Sequence, residues 1–313
     1  MKMSQTTLVG KRVLVTGGAG FIGSHTVDAL VGAGAEVVVF DNFSAGRREN
    51  LAGLKEVKVV EGDIRDSGAL RKAMAGAYAT MHLAAQVSVR ASVQNPADSA
   101  THNVSGFINV LQAAREHSLH RVVYASSAAV YGMPVVLPVN EGSPVAPLSP
   151  YGLEKLIDEQ YAALFSRLYG VRCLGLRYFN VYGPRQDPRS EYAGVISRFV
   201  DLARRDAALT IFGDGEQTRD FVFVKDIAQV NLAAISSDEE GVVAVGTGRS
   251  VSLLQLVSAI EYSLGTKVDL RFASAAQGDI RYSAMDPGQL RQRLGGVPST
   301  MLEEGISVLM KGS

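Results

Sequence analysis

A short apolar run, Arg12-Val13-Leu14-Val15-Thr16, leads straight into Gly17-Gly18-Ala19-Gly20-Phe21-Ile22-Gly23 and then into a helical stretch reaching Leu30. A strand that turns through Gly-x-x-Gly-x-x-Gly into a helix opens a strand–helix–strand unit, and such units build parallel sheets. Glycine permits the tight turn and lets the backbone approach a pyrophosphate closely. The helix that follows offers unpaired N–H groups and a positive dipole end to the phosphates. Phe21 and Ile22 therefore join Gly17, Gly20 and Gly23 as candidate cofactor contacts. A second strand-like run, Glu36 to Phe40, ends at Asp41, 18 residues after Gly23. A carboxylate there accepts hydrogen bonds from adenosine ribose hydroxyls and repels a 2′-phosphate, which points to NAD rather than NADP. Asn42 and Ser44 lie in the same loop and count with Asp41 as cofactor contacts. Arg47 and Arg48, a few residues on, are the groups that would greet a 2′-phosphate instead.

The alternation continues. Strands are expected at 12–16, 36–40, 57–61, 79–83, 121–126 and 171–177, with helices near 21–34, 67–75, 97–117 and 151–169. This order implies right-handed crossovers and a parallel sheet with helices on both faces, a Rossmann-type doubly wound α/β fold. Ligands of such sheets sit outside the carboxyl ends of the strands. Gly17, Asp41, Asp63, Ala84, Ser127 and Asn180 each follow a strand's carboxyl end. Beyond Gly183-Pro184-Arg185 the elements shorten and Gly, Asp and Arg become more frequent. The expected organisation is a dinucleotide-binding domain over 1–183 and a smaller C-terminal α/β substrate lobe over 184–313, with chain crossings between them.

Composition excludes several classes. The formal net charge is zero and no basic stretch occurs, so no nucleic-acid partner is expected. No run approaches the ~18 apolar residues of a membrane span, and the first ten residues lack an apolar core, so neither membrane insertion nor a signal peptide is expected. The chain reads as cytoplasmic. Cys173 is the single cysteine, which rules out an intrachain disulfide and a cysteine metal cluster; its apolar neighbours suggest a buried thiol. Histidines 25, 102, 117 and 120 show no metal-ligand spacing, and His82, ending a strand, reads as a satisfied core histidine.

Reactive chemistry is suggested by Tyr151 and Lys155, 24 residues after Ser127 in Ser126-Ser127-Ala128-Ala129. Four residues is about one helical turn, so the phenol and the ammonium share a face. A phenol ionises near pH 10 and is a poor base at neutrality. A cation about 4 Å away, at an effective dielectric near 20, favours the phenolate by up to roughly 4 kcal/mol, enough to bring a tyrosine near pH 7.

Taken in order, Thr16 to Gly23, Gly62-Asp63-Ile64, His82-Leu83-Ala84-Ala85, Asn103-Val104, Ser126-Ser127, Tyr151-x-x-x-Lys155 and Arg177-Tyr178-Phe179-Asn180-Val181-Tyr182-Gly183-Pro184 form one set. The chain resembles, over nearly its whole length, the extended short-chain dehydrogenase/reductases, and within them the NAD-dependent nucleotide-sugar epimerases of the UDP-galactose 4-epimerase type. The resemblance implies that Tyr151 takes the proton from a sugar 4-hydroxyl while hydride leaves the same carbon for NAD. Ser127 then hydrogen-bonds that oxygen, and Lys155 holds the nicotinamide ribose and favours the phenolate. Asp63 and Ile64 would meet the adenine, Leu83, Ala84 and Ala85 would leave room for the dinucleotide, and Tyr178 joins the cofactor contacts. Asn103 would be structural support. Either Ser126 or Ser127 can face the sugar, since alternation puts only one on a given side; the family pattern favours Ser127.

An epimerase must hold the nucleotide firmly and let the 4-keto sugar turn over. The candidate substrate contacts are Ser126, Ser127, Asn180, Val195, Phe212, Arg219, Arg281 and Ser283, with Phe212 flanking a uracil and the two arginines meeting a diphosphate. One departure stands out: relatives commonly carry an arginine three residues before the Gly-Asp aspartate, where this chain has Ala276, so Arg281 or Arg185 would substitute. The position of Ser283, four residues after Asp279, borders the sugar C2 substituent in relatives. A small residue there admits an acetamido group, so UDP-N-acetylglucosamine and UDP-N-acetylgalactosamine are the expected pair, with UDP-glucose and UDP-galactose as a weaker activity. A UDP-glucuronate 4-epimerase or decarboxylase is the nearest rival. A 4,6-dehydratase would carry Asp-Glu where this chain has Ala128-Ala129, and a non-catalytic NAD-binding regulator would not need Ser127, Tyr151 and Lys155 together. Relatives pair two helices per subunit into a four-helix interface. A homodimer is expected through helices near 97–117 and 151–169, with Phe107, Val110, Leu111, Leu156, Leu164 and Leu168 either at the interface or in the core.

Overall fold

The computed structural model describes residues 7–189, 194–275 and 280–311. Ala276 and Asp279 lie outside the described residues. Seven strands form one sheet in the order Gly241–Val245, Cys173–Tyr178, Arg121–Ser127, Ala79–His82, Arg12–Thr16, Glu36–Asp41 and Lys58–Glu61. Every neighbouring pair is parallel. This is the doubly wound Rossmann-type α/β fold. From Arg12–Thr16 the chain first builds outward to one edge, then crosses back to Ala79–His82 and builds toward the other. The switch point lies between these two strands, where the carboxyl ends diverge into a crevice.

Both faces of the sheet are covered, which is why its strands read as continuous apolar runs. Side chains alternate between faces. Val13 and Val15 pack with Val27 and Leu30 of the helix Phe21–Gly32 and with Ile227 and Ile235 of the helix Val224–Ser236. Leu14 points the other way, into a cluster with Leu70, Phe107, Leu111 and Tyr124. A third core, built by Ile196, Phe199, Leu209, Ile211, Leu256 and Ile260, belongs to the C-terminal part of the chain. That part also returns to the sheet. Gly241–Val245 pairs with Cys173–Tyr178, and Asn231 donates to Thr26 Oγ1 at 2.9 Å while accepting from the Tyr178 hydroxyl at 2.7 Å.

The helical region expected near 97–117 is built of three consecutive pieces. A short helix, Pro96–Ala100, runs through a π turn, Thr101–Ser105, into Gly106–Glu116. The π turn carries Asn103, whose side chain bonds both backbone groups of Gln86 at 2.9 Å. A buried amide needs such partners. Phe107, Val110 and Leu111 are completely buried within the subunit, so of the two roles open to them they take the core one. Cys173 is buried as well, and desolvation pushes its thiol up to about 12. No described helix is long and apolar enough to cross a membrane.

Candidate active site at the switch point

A cleft of about 550 Å³ opens at the carboxyl ends of the strands. All the residues singled out above as cofactor contacts line it: the glycine turn from Gly17 to Gly23 with Phe21 and Ile22, Asp41, Asn42 and Ser44, Asp63 and Ile64, Leu83 to Ala85, Tyr151, Lys155 and Tyr178. Ser126, Ser127, Asn180 and Val195 line it too.

The residues of the turn suit a dinucleotide. Gly17 has φ +68°, and a Cβ there would sit 2.6 Å from the Ala84 nitrogen, so the strand end and the next loop touch backbone to backbone. No side chain caps the helix that starts at Phe21, and its first turn borders the cleft. Asp41 is fixed by the N–H groups of Ala19 at 2.9 Å and Phe43 at 2.8 Å. Burial raises its carboxyl pKa, and those two bonds pull it back. Arg47, at the rim, is paired with Asp187, and Arg48 with Glu61, so each of these arginines has an anionic partner within the chain. Asp63 is held well below the usual carboxylate range, chiefly by its side-chain bonds from Arg65. Arg65 and Asn42 supply four donors to its two oxygens, so an adenine amino group would compete with them.

The groups expected to react are positioned by local structure. Ser149 caps the helix Pro150–Tyr169 by accepting from Gly152 N–H at 3.1 Å, and Pro150 occupies the first helical position, where a missing N–H costs nothing. Tyr151 is thus in the first turn, its N–H bonded to Ser92 Oγ at 3.1 Å. A Cβ on Gly152 would meet the Ala129 carbonyl at 2.8 Å, so the helix start touches the turn that follows Ser127. The two serines separate as alternation requires. Ser126 Oγ donates to Glu159 Oε1 at 2.6 Å, and Glu159 is bound by Arg177 through Nε at 2.8 Å and Nη2 at 2.7 Å. Among the described residues Ser127 Oγ accepts from Ala129 N–H, at 3.1 Å, and donates to none, which leaves its proton for a ligand.

Lys155 is buried and donates to Asp158 Oδ2 at 3.2 Å. Burial pulls its pKa down, but Asp158, Tyr151 and Glu154 outweigh that, and the net direction is up. Glu154 is buried too, accepting from Ser99 Oγ at 2.8 Å and Asn103 Nδ2 at 2.6 Å. His82 bonds Thr16 Oγ1 through Nδ1 at 2.7 Å and stacks on Phe107; burial, aided by Lys155, lowers its pKa to about 3. It is a neutral core histidine.

Four expected substrate contacts lie off the cleft lining. Phe212 is half exposed on the outer strand Leu209–Phe212. Arg281 forms a two-pronged pair with Asp214 at 2.6 and 2.7 Å on the surface. Arg219 donates to the carbonyls of Thr218 and Ile280. Ser283 accepts at its carbonyl from Ser250 Oγ, at 2.8 Å. The lining includes residues that the motif reading passed over, among them Val87, His102, Gln186 and Asp187. The signal for Gln186 and Asp187 was position alone, directly after the motif that ends at Pro184. Arg185, weighed as a substitute cation, lines the cleft and pairs with Asp28 at 2.8 Å.

Residues 13–246 match the model of the NAD dependent epimerase/dehydratase family. A protein of Methanocaldococcus jannaschii named putative UDP-glucose 4-epimerase is 43% identical over 296 residues, covering 94% of this chain and 95% of that one. The solved UDP-N-acetylglucosamine 4-epimerase of Methanobrevibacter ruminantium, in complex with UDP-N-acetylmuramic acid, superposes with a TM-score of 0.93 at 35% identity, covering 97% of this chain and all of that one. The UDP-glucose 4-epimerase of Thermus thermophilus in complex with NAD gives 0.88 at 36% identity, covering 96% of this chain and 98% of that one. With a strand–glycine turn–helix unit, a carboxylate at the next strand end, and serine, tyrosine and lysine on one cleft, the chain belongs to the NAD dependent epimerase/dehydratase family.

Proposed function

We propose that the protein epimerises a UDP-hexose at C4, with UDP-N-acetylglucosamine and UDP-N-acetylgalactosamine as its pair. One observation carries this reading: Ser127, Tyr151 and buried Lys155 share a cleft with the glycine turn and Asp41, while Ala128 and Ala129 stand where elimination would need an acid and a base. NAD, when bound by Gly17–Gly23, Asp41 and Lys155, supplies a reversible hydride acceptor. Tyr151 removes the proton of the sugar 4-hydroxyl and later returns it. Ser127 donates to the same oxygen and holds it while charge develops. Lys155 keeps a positive charge one turn from the phenol, which stabilises negative charge developing on its oxygen during the transfer. Residues 1–183 would hold the cofactor and 184–313 the nucleotide sugar.

The acetamido sugar is favoured by the name of the Methanobrevibacter relative and, provided the bound sugar extends past the cleft lining to Ser283, by that small side chain; UDP-glucose and UDP-galactose are favoured by the names of the Methanocaldococcus and Thermus relatives. UDP-glucuronate decarboxylation would show as a product lighter by carbon dioxide, and UDP-glucuronate epimerisation as a separable product of unchanged mass formed from that sugar. Subunits would pair through the helices near 97–117 and 151–169, the second of which, Pro150–Tyr169, exposes Leu153 and Leu168. The test is incubation with each UDP-sugar without added NAD, followed by product separation, for the wild type, Tyr151→Phe and Ser283→Tyr. Turnover of the acetamido pair is expected, with a loss of at least ~100-fold in Tyr151→Phe and selective loss of the acetamido sugar in Ser283→Tyr. Unchanged acetamido turnover in Ser283→Tyr would end the gatekeeper reading, and full turnover in Tyr151→Phe would end the catalytic one.

A further inference from the structure

The helix Pro150–Tyr169 carries another polar group on the face that holds Tyr151 and Lys155. Asp158 follows Lys155 by three residues and Tyr151 by seven, one and two turns along the same stripe. Its side chain is 1% exposed. One oxygen, Oδ2, accepts from Lys155 Nζ at 3.2 Å; the other, Oδ1, is buried and meets no donor among the described residues. Burying a carboxylate with half its acceptors unmet is costly, so this group is poorly explained as a packing element. We propose that Asp158 is the positioning residue of Lys155, anchoring the ammonium one turn from Tyr151 and keeping it charged at alkaline pH. This rests on the reading in which Lys155 serves Tyr151.

The surroundings support it. Glu154 and Glu159 share the helix, but Glu154 is engaged by Ser99 and Asn103, and Glu159 by Arg177 and Ser126. From the neighbouring strands come His82, which is neutral because burial lowers its pKa to about 3, and Tyr124, whose phenol burial raises well above its usual range. Arg177 adds a cation already paired with Glu159. Asp158 is therefore the ion-pair partner of Lys155 among the described residues. Burial raises the Asp158 carboxyl; at the ammonium burial pulls down, and Asp158, with Tyr151 and Glu154, outweighs it. Among the described residues Asp158 is the carboxylate within hydrogen-bond reach of the ammonium, and a buried lysine without such a counter-ion sheds its proton at lower pH.

Asp158→Asn keeps the shape and an acceptor while removing the charge. Two readouts apply to the purified full chain. The first is an NMR titration of Lys155 Nζ, assigned by its disappearance in Lys155→Met; the second is the pH profile of UDP-sugar turnover. The Nζ midpoint should fall by more than about one pH unit, and the alkaline limb of turnover should move down with it. An unmoved midpoint, even with lowered thermal stability, would make Asp158 structural only and overturn the proposal. If the asparagine chain does not fold, Asp158→Ser, too short to reach Nζ, carries the same titration. The Nζ titration needs no turnover. A chain inactive on every UDP-sugar would therefore sink the catalytic reading and leave the Asp158 result to be judged by itself.

Discussion

The Arg177–Glu159 pair lies behind the strand that ends in Ser127, and its loss should be among the most damaging single changes in the molecule. Arg177 Nε and Nη2 donate to the two Glu159 oxygens at 2.8 and 2.7 Å, Ser126 Oγ adds a third bond at 2.6 Å, and Arg177 Nη1 reaches the Tyr131 hydroxyl at 3.0 Å. Both charged side chains are under a tenth exposed. Glu159→Gln removes the negative charge and turns one acceptor into a donor facing other donors. An arginine stripped of its partner in such a place leaves an uncompensated buried charge, which costs about 3–5 kcal/mol. That is a large share of the roughly 5–15 kcal/mol by which a domain is stable. The control is Glu61→Gln. Glu61 pairs with Arg48, both are more than half exposed, and a pair of that kind contributes about 0–1 kcal/mol. Urea unfolding followed by circular dichroism should show a loss in Glu159→Gln several times that in Glu61→Gln. Turnover should fall as well, because Ser126 tethers the strand end that presents Ser127. Equal losses in the two variants, within about 1 kcal/mol, would refute the argument that burial makes the difference.

Two further outcomes follow from the site. Gly17→Val places a side chain at φ +68° against the backbone of Leu83 and Ala84, atoms that cannot swing aside, so NAD released by denaturing the purified chain should drop at least ~100-fold relative to wild type; a full complement of NAD would contradict the contact. His82 gives a pH test: the unfolded histidine takes a proton near 6.5, the native one only near 3, so the unfolded state binds more protons between these values and stability falls as pH drops through that window. His82→Asn should flatten the loss by a few kcal/mol between about pH 6 and pH 4, and an unchanged pH dependence would show that His82 is not the group responsible.

Much of the site was legible because its signals are local. A glycine turn between an apolar run and a helix, a carboxylate at the next strand end, and a tyrosine four residues from a lysine are each written in contiguous residues, and alternation along the chain places them on one edge of a sheet. The strands expected at 12–16 and 36–40 and the helix expected near 151–169 match Arg12–Thr16, Glu36–Asp41 and Pro150–Tyr169 to within a residue, because burial on both sheet faces demands apolar runs.

The rest depends on which distant segments meet. Nothing local in Gly241–Val245 says that it completes a sheet begun more than two hundred residues earlier; its partner is chosen by the packing of the helix Val224–Ser236 on Phe21–Gly32. Spacing could not say which serine turns inward, because that depends on Glu159 and Arg177 waiting behind the strand. Nor could it say that Arg281 is engaged by Asp214, or that Asp158 sits dry against Lys155. The class of fold, and the meeting of the glycine turn, Asp41, Ser127, Tyr151 and Lys155 on one cleft, are legible in the linear chain, because they rest on backbone freedom, periodicity and spacing. Which charges are paired, which are buried and which face the cleft is settled by the folded arrangement, because desolvation and ion pairing depend on neighbours that the chain brings together only on folding.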